Sequence, residues 1–110
     1  MAADPFAAIR VQFLEKLEGY ADRIDALLVE LETQAGASAT GLMAEIRDIA
    51  HRVSGVAATL GFPTLGEAAA LLDRFIVSEA HLAPANTTRA KELVALFLEE
   101  LDFALEEGTA

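Results

Sequence analysis

His51 is the residue in this chain whose type and position best suit surface chemistry. The apolar residues around it recur at three- and four-residue steps, a pattern that predicts a helix with one buried face. These residues are Leu42, Ile46, Ile49, Val53, Ala57 and Leu60. At about 100° per residue, His51 falls nearly opposite the centre of that face. We therefore expect its imidazole to point into solvent.

The helical neighbours of His51 leave room beside the ring. One turn away on either side lie Arg47, Asp48, Ser54 and Gly55. A glycine inside a helix costs about 1 kcal/mol relative to alanine, so Gly55 is a local fault in an otherwise good helix. It removes side-chain bulk and would let the backbone of another molecule approach the imidazole. Ala58, one turn further on, keeps the same strip small.

Four amphipathic segments are predicted to position this histidine. Apolar periodicity and turn residues indicate helices over about residues 5–33, 41–60, 64–78 and 86–107. In the first of them, the apolar stripe begins with Phe6, Ile9 and Phe13. Short connections between amphipathic helices indicate an antiparallel, up-down four-helix bundle. We therefore predict an all-α fold with a single domain over residues 1–110, and a monomer, since nothing in the stripes demands a second copy.

Capping residues mark the predicted helix ends. Asp4 followed by Pro5 is typical of an N-cap and a first helical position. Gly61 is placed to end the second helix as its C′ residue. The third helix would open either with a capping box that starts at Thr64 or with Pro63 as its first residue. Asn86 or Thr87 is predicted to cap the fourth.

The charge of the chain limits its partners. A formal net charge of −10 argues against nucleic acid or an anionic membrane surface. Residues 4–33 carry seven acidic and three basic residues, and residues 86–107 carry six and two, whereas residues 41–78 carry four and three. Solvated acidic faces account for the first and last segments. The more neutral middle segment is also where an acidic partner would dock, and both interpretations stay open.

Other features exclude several classes of protein. The chain has no cysteine, so disulfides and thiolate chemistry are absent, in keeping with a cytoplasmic location. No signal peptide is recognisable, and the longest uncharged run, residues 53–66, is too short to span a membrane. Asp48 and His51 match half of a di-metal motif, but the only other histidine, His81, is predicted to lie in a loop. We therefore expect no metal site, and no serine triad or phosphate-binding glycine loop is visible.

From His51 onward the sequence resembles the histidine phosphotransfer (HPt) domain. That family carries a pattern close to His-x-Leu-Lys-Gly-Ser-x-x-x-Leu-Gly, followed at helical spacing by Leu, a small residue and Leu-Glu. The matching positions here are His51, Gly55, Leu60, Gly61, Leu65, Ala69, Leu72 and Asp73. The family is a four-helix domain of this size with its histidine exposed on the second helix, so the resemblance extends over the whole chain.

Three positions depart from the family pattern. Val53 replaces leucine, a change within core volume. Ser54 stands where the family usually has a lysine beside the phosphoryl group, and we hypothesise that Arg47 supplies the charge instead. Asp73 replaces a Glu or Gln that hydrogen-bonds the imidazole Nδ1 in the family. Because Asp is shorter, a direct contact, a water-bridged contact and no contact all remain open.

The resemblance implies a carrier without its own turnover. His51 would accept a phosphoryl group from the aspartate of a receiver domain and pass it to another response-regulator receiver. The receiver would bring the aspartate, Mg²⁺ and a lysine, so this chain would need no cofactor of its own. The implied partners are receiver domains and a hybrid histidine kinase. Their predicted docking residues are Arg47, Asp48, Arg52, Ser54, Gly55 and Ala58.

Two other functions also fit the residues. A bundle could bind receiver or kinase domains without accepting phosphate, which the Ser54 and Asp73 departures would favour. A purely structural bundle could carry His51 as an incidental surface residue. Replacing His51 by glutamine separates the three hypotheses, because only the carrier would lose transfer while keeping its binding.

Overall fold

Four helices make up the described part of the chain. The computed structural model describes residues 5–33, 37–78 and 84–109. The helices are α1, Ala7–Thr33; α2, Ala37–Val56; α3, Pro63–Ser78; and α4, Pro84–Thr109. No strand occurs in these three ranges, and the all-α prediction is confirmed. Within these ranges, no helix has both the length and the apolar composition of a membrane-spanning helix.

The helices form the predicted up-down bundle. Each packs against two others, in the cyclic order α1, α2, α3, α4. Arg23 of α1 bonds Glu45 of α2, whereas Arg10, earlier in α1, bonds the carbonyl oxygen of Leu60, later in the chain. Contacts that run in opposite chain directions mean that α1 and α2 are antiparallel. The beginning of α3 and the last part of α4 line one shallow groove, as expected for antiparallel neighbours.

The core is filled by aliphatic and aromatic side chains from all four helices. The largest fully buried ones include Leu17, Ile46, Leu72, Phe97 and Leu101. Full burial of such a side chain contributes about 1.5–3 kcal/mol to the free energy of unfolding. These buried side chains therefore hold the four helices together. The predicted buried face of α2 is confirmed, except that its first member, Leu42, is only partly buried.

The apolar stripe of α1 is less buried at its start than predicted. Phe6 is 42% exposed and Ile9 is 48% exposed, although Phe13 is buried and packs against Phe62. A Cβ on Gly108 would overlap Leu14, which shows that α4 reaches its end beside the second turn of α1.

The predicted starts of the first two helices need correction. The second helix begins at Ala37 and not at residue 41, because a run of small residues that resembles a loop is also compatible with a helix. The first helix begins at Ala7 and not at residue 5. Pro5 lies in a turn before it, and the first helical bond runs from the Arg10 N–H to the Phe6 oxygen at 2.8 Å. Asp4 lies outside the described residues.

Prolines open the other two helices. Pro63 is the first residue of α3, and the Phe62 oxygen accepts the Gly66 N–H at 3.1 Å, so the capping box at Thr64 was wrong. The fourth helix begins at Pro84 and includes Asn86 and Thr87, the two predicted caps. Proline suits a first turn because its missing N–H would have no helical partner there. This helix continues to Thr109, two residues beyond the predicted end.

The end of α2 is a glycine-terminated turn. The regular helix ends at Val56, four residues before the predicted end, but a helical bond still joins the Leu60 N–H to the Val56 oxygen at 3.2 Å. The Phe62 N–H then donates to the Ala57 oxygen at 2.8 Å, and Gly61 has a φ of 97°. This is the Schellman arrangement, and Gly61 occupies the predicted C′ position.

Candidate functional site

His51 stands on the solvent side of α2, near its C-terminal end. Its side chain is 64% exposed, whereas its neighbours Ala50 and Val53 are fully buried. The buried neighbours fix the helix on the core, and this fixes the position from which the imidazole projects. The prediction that His51 is exposed on the second helix is therefore confirmed.

Asp73 of α3 reaches this imidazole directly. The distance from His51 Nδ1 to Asp73 Oδ2 is 2.8 Å, within ordinary hydrogen-bond length. The Asp73 side chain is only 15% exposed and follows the fully buried Leu72 in the sequence. Of the three arrangements that the sequence left open, the structure thus has the direct one. The close packing of α2 on α3 brings the shorter side chain within reach.

The second oxygen of Asp73 is bound by Arg47. Arg47 Nε donates to Asp73 Oδ1 at 2.8 Å. Arg47 Nη1 lies a further 3.7 Å from Asp48 Oδ1, a longer ionic contact along α2. Sequence reasoning placed Arg47 beside His51 but missed its pairing with Asp73. The signal available for that pairing was an arginine and a histidine one turn apart on α2, with Asp73 one of two acids on the next helix.

These contacts decide the protonation of Asp73. Burial raises the pKa of its carboxyl group. The hydrogen bonds from His51 and Arg47, together with the charge of Arg47, lower that pKa by more than burial raises it, so the net shift is downward. Asp73 is therefore ionised at neutral pH. An ionised carboxylate has no proton to donate, so the proton of the 2.8 Å contact sits on His51 Nδ1. In the neutral imidazole the lone pair is then left on Nε2.

The surface beside the imidazole carries small residues, as predicted. Gly55 and Ala58 are exposed, and a Cβ built on Gly55 would have nothing within 4 Å. The Ser54 hydroxyl donates to the His51 carbonyl oxygen at 2.9 Å, so it bonds its own helix, as hydroxyls inside helices often do. Arg52 is exposed and makes no ion pair with any described residue. The parts of these residues in docking stay predictions, as does the hypothesis that Arg47 meets the phosphoryl group.

Metal-binding side chains do not gather anywhere in the described ranges. No group of three or more histidine, aspartate or glutamate residues is close enough there to hold a metal ion. The second histidine of the chain, His81, lies outside the described residues.

Comparison with known proteins agrees with this geometry. The family model described as "Hpt domain" matches residues 8–107. No curated protein and no solved structure matches the chain. The family model covers nearly all of the four helices, including the exposed histidine of α2 and its partner on α3. The chain therefore belongs to the Hpt family, the histidine-containing phosphotransfer domains that carry phosphoryl groups in phosphorelays.

Proposed function

We propose that His51 is the phosphoacceptor and that this chain is an intermediate in a phosphorelay. It takes a phosphoryl group from the aspartyl phosphate of one receiver domain and passes it to the aspartate of another. The observation that carries the proposal is the hydrogen bond between His51 Nδ1 and Asp73, which leaves the Nε2 lone pair free on an exposed ring. No other described residue combines such a nucleophile with a cleared surface.

The transfer step needs little from this chain. The Nε2 lone pair attacks the phosphorus atom, the N–P bond forms, and the P–O bond to the receiver aspartate breaks to release a carboxylate. Phosphoryl transfer depends mainly on positioning and on neutralising the charge of the transferred group. We expect the receiver to supply Mg²⁺ and a lysine for the second task. The chain itself supplies a nucleophile held on a rigid helix, and the return step reverses the same bonds.

Asp73 has a second part in this step. Because Nδ1 keeps its proton while Nε2 gains the phosphoryl group, the imidazole ring becomes positively charged. The Asp73 carboxylate, 2.8 Å from Nδ1, lies where it stabilises that charge. This interaction is stronger after transfer than before it, when the ring is neutral. We therefore propose that Asp73 favours acceptance of the phosphoryl group as well as fixing the ring.

The proposed docking surface surrounds His51. It consists of Arg47, Asp48, Arg52, Ser54, Gly55 and Ala58, with the adjoining face of α3. The exposed Val56, next to Gly55, adds an apolar contact of the kind found in transient interfaces. We propose receiver domains and a hybrid histidine kinase as the partners, with the chain acting as a cytoplasmic monomer.

An adaptor is the second candidate function. Ser54 bonds the backbone of its own helix and brings no cation to the imidazole. Without that charge, a bundle of this shape could bind a receiver domain and accept no phosphate. This alternative shares the docking surface with the carrier, so binding alone does not separate the two.

The test follows the intact mass of the protein. The chain is mixed with an aspartyl-phosphorylated receiver and Mg²⁺, beside the His51→Gln variant, and binding of both to the receiver is measured separately. The carrier gains one phosphoryl group that is labile in acid, and the variant gains none but still binds. Binding without any gain in mass, with several receivers, would favour the adaptor. An unchanged gain in the variant would mean that another residue is the acceptor.

A further inference from the structure

We propose that Arg47 is a positioning residue that determines which nitrogen of His51 carries the proton. It acts through Asp73 and needs no contact with the phosphoryl group. The consequence for transfer rests on the function proposed above, whereas the effect on the proton is a property of the free protein. The two parts of the inference can therefore fail separately.

The Asp73 carboxylate is shared between two hydrogen-bond donors. Two donors one turn apart on α2 face its two oxygens, with Arg47 Nε at 2.8 Å from Oδ1 and His51 Nδ1 at 2.8 Å from Oδ2. A guanidinium can only donate, whereas an imidazole nitrogen can donate or accept. Arg47 therefore requires an acceptor at the Oδ1 position. The His51 nitrogen can pair with either an acceptor or a donor at the Oδ2 position.

The surroundings hold this arrangement in place. Asp73 is mostly buried, so water has limited access to replace either partner. Asp48, 3.7 Å from Arg47 Nη1, gives the guanidinium a second anionic neighbour on α2. With Oδ1 bound by Arg47, rotation of the carboxylate is restricted and Oδ2 stays directed at Nδ1. Arg47 thereby orients the group that orients the imidazole.

Replacement of Asp73 by asparagine makes this order of control visible. An amide offers one acceptor oxygen and one donor NH₂ group in place of two acceptors. Arg47 will take the oxygen, which turns the NH₂ group toward His51 Nδ1. Nδ1 must then accept a hydrogen bond, so the ring proton moves to Nε2. Nε2 thereby loses the free lone pair that would attack the phosphorus atom. If Arg47 is removed as well, the amide oxygen is free to face His51, and the proton returns to Nδ1.

The effect of Arg47 thus changes sign with the residue at position 73. Removing Arg47 from the natural chain loosens Asp73 and lowers the fraction of the Nδ1–H form. Removing it from the Asp73→Asn variant raises that fraction. A residue that only stabilised the bundle would shift both backgrounds in the same direction, or neither.

Nitrogen NMR of the labelled imidazole, at a pH where the ring is neutral, measures this directly. The set comprises the natural chain, R47M, D73N, the R47M/D73N double variant and R47K/D73N, in which lysine keeps a donor. R23M is the matched control, because the Arg23–Glu45 pair also joins two helices but lies away from His51. Helix content and thermal unfolding of each protein are recorded alongside.

We expect the Nδ1–H form in the natural chain and in R23M, and the Nε2–H form in D73N and R47K/D73N. The double variant R47M/D73N should shift back toward Nδ1–H by about tenfold in the tautomer ratio, which corresponds to ~1.4 kcal/mol. Equal ratios in D73N and R47M/D73N would overturn the inference, as would an Nε2–H form in the natural chain. If R47M proteins fail to fold, D73N alone still decides, because an Nδ1–H form there contradicts control by Arg47.

Phosphoryl acceptance provides the second measurement. The rate of phosphoryl acceptance should fall in D73N. It should recover in part in R47M/D73N, where the Arg47 side chain is removed as well. If the tautomers follow the pattern but no protein of the set accepts phosphate, the proposed function is wrong and the positioning role stands. If the natural chain accepts phosphate but its tautomer does not respond to Arg47, the proposed function stands and the positioning role is wrong.

Discussion

Gly55 and His51 lie one turn apart on the exposed side of α2, and the space above the glycine is open. A Cβ at Gly55 would meet no atom within 4 Å, so the packing of the free protein does not require glycine there. A residue that costs helix stability and fills no structural need points to a requirement outside the bundle. The approach of a partner to the imidazole would be such a requirement.

Substitution Gly55→Ala should therefore stabilise the fold and impair transfer. We expect the free energy of unfolding to rise by about 0.5–1 kcal/mol, because alanine has the higher helix propensity. The phosphorylation rate with a receiver should fall, because the added methyl group stands in the path of docking. Urea unfolding and a transfer time course measure the two effects.

Gly19→Ala is the matched control for this experiment. Gly19 is an exposed glycine inside α1, and a Cβ there also meets nothing within 4 Å. It should give a similar gain in stability with no change in transfer. If both variants transfer at the natural rate, Gly55 has no part in docking.

Substitution His51→Gln should leave stability nearly unchanged. The imidazole is mostly exposed and supports no core contact, so we expect a change in unfolding free energy within about 0.5 kcal/mol. Urea unfolding of the two proteins at pH 7 checks this. A loss of several kcal/mol would mean that the ring is part of the core, contrary to the exposed site described above.

The stability contribution of Asp73 should depend on pH. Its folded pKa lies below the ordinary value of 3.8, so its contribution is complete above that value and is lost as the pH falls through the folded pKa. At pH 7 we expect Asp73→Asn to lower the unfolding free energy by about 1 kcal/mol, because the bond from Arg47 loses its charged acceptor and bonds to charged groups are stronger by about that amount. Urea unfolding from pH 7 to pH 2.5 should show the natural chain and the variant converging on acidification.

Glu45→Gln serves as the comparison. The hydrogen bond from Arg23 lowers the pKa of Glu45 too, so the sign of its pH dependence is the same. Its pair with Arg23 is exposed, however, and exposed pairs contribute little. We expect a smaller difference at pH 7 than for Asp73→Asn. A gap between the natural chain and Asp73→Asn that is undiminished at pH 2.5 would contradict the ionised state assigned to Asp73.

Substitution Gly61→Ala should destabilise the bundle. Gly61 has a φ of 97°, where a Cβ is strained even though the surrounding space is open. We expect a loss of about 1–2 kcal/mol in unfolding free energy, the cost of a left-handed conformation for an ordinary residue. Thermal or urea unfolding detects it, and Gly19→Ala, with the opposite sign, is the control.

Two arginines should steer the approach of a receiver. Arg52 and Arg74 are exposed and make no ion pair with any residue of the described ranges, in a chain with a net charge of −10. We expect Arg52→Glu with Arg74→Glu to slow association with a receiver and to change its dependence on salt. Stopped-flow or surface binding at two ionic strengths measures the effect.

The control for this prediction reverses charge elsewhere. Arg89→Glu with Lys91→Glu makes the same change in net charge at the beginning of α4. It should slow association less. Equal slowing by both pairs would show that only the net charge of the chain matters and that the arginines near His51 have no specific part.

The face of α2 that bears His51 was predictable because periodicity is a local property. Apolar residues every three or four positions define a buried face wherever the helix lies, and His51 opposite them is exposed. The helix ends were less predictable than this face. The small residues from Ala37 onward and Pro84 are compatible with loop or helix, and both segments are helical. The exposure of Phe6 depends on how the other helices pack around the start of α1, which the α1 sequence does not contain.

The sequence by itself determined the four-helix class, the exposed histidine, the Gly61 stop and, through its motif, the family. The tertiary structure alone decided that Asp73 touches His51 and that Arg47 binds the other oxygen of the same carboxylate. These residues are 22 and 26 positions from Asp73 along the chain. Whether a shorter acid reaches the imidazole depends on how closely α2 and α3 pack. That distance is set by side chains of the whole core, and no local pattern records it.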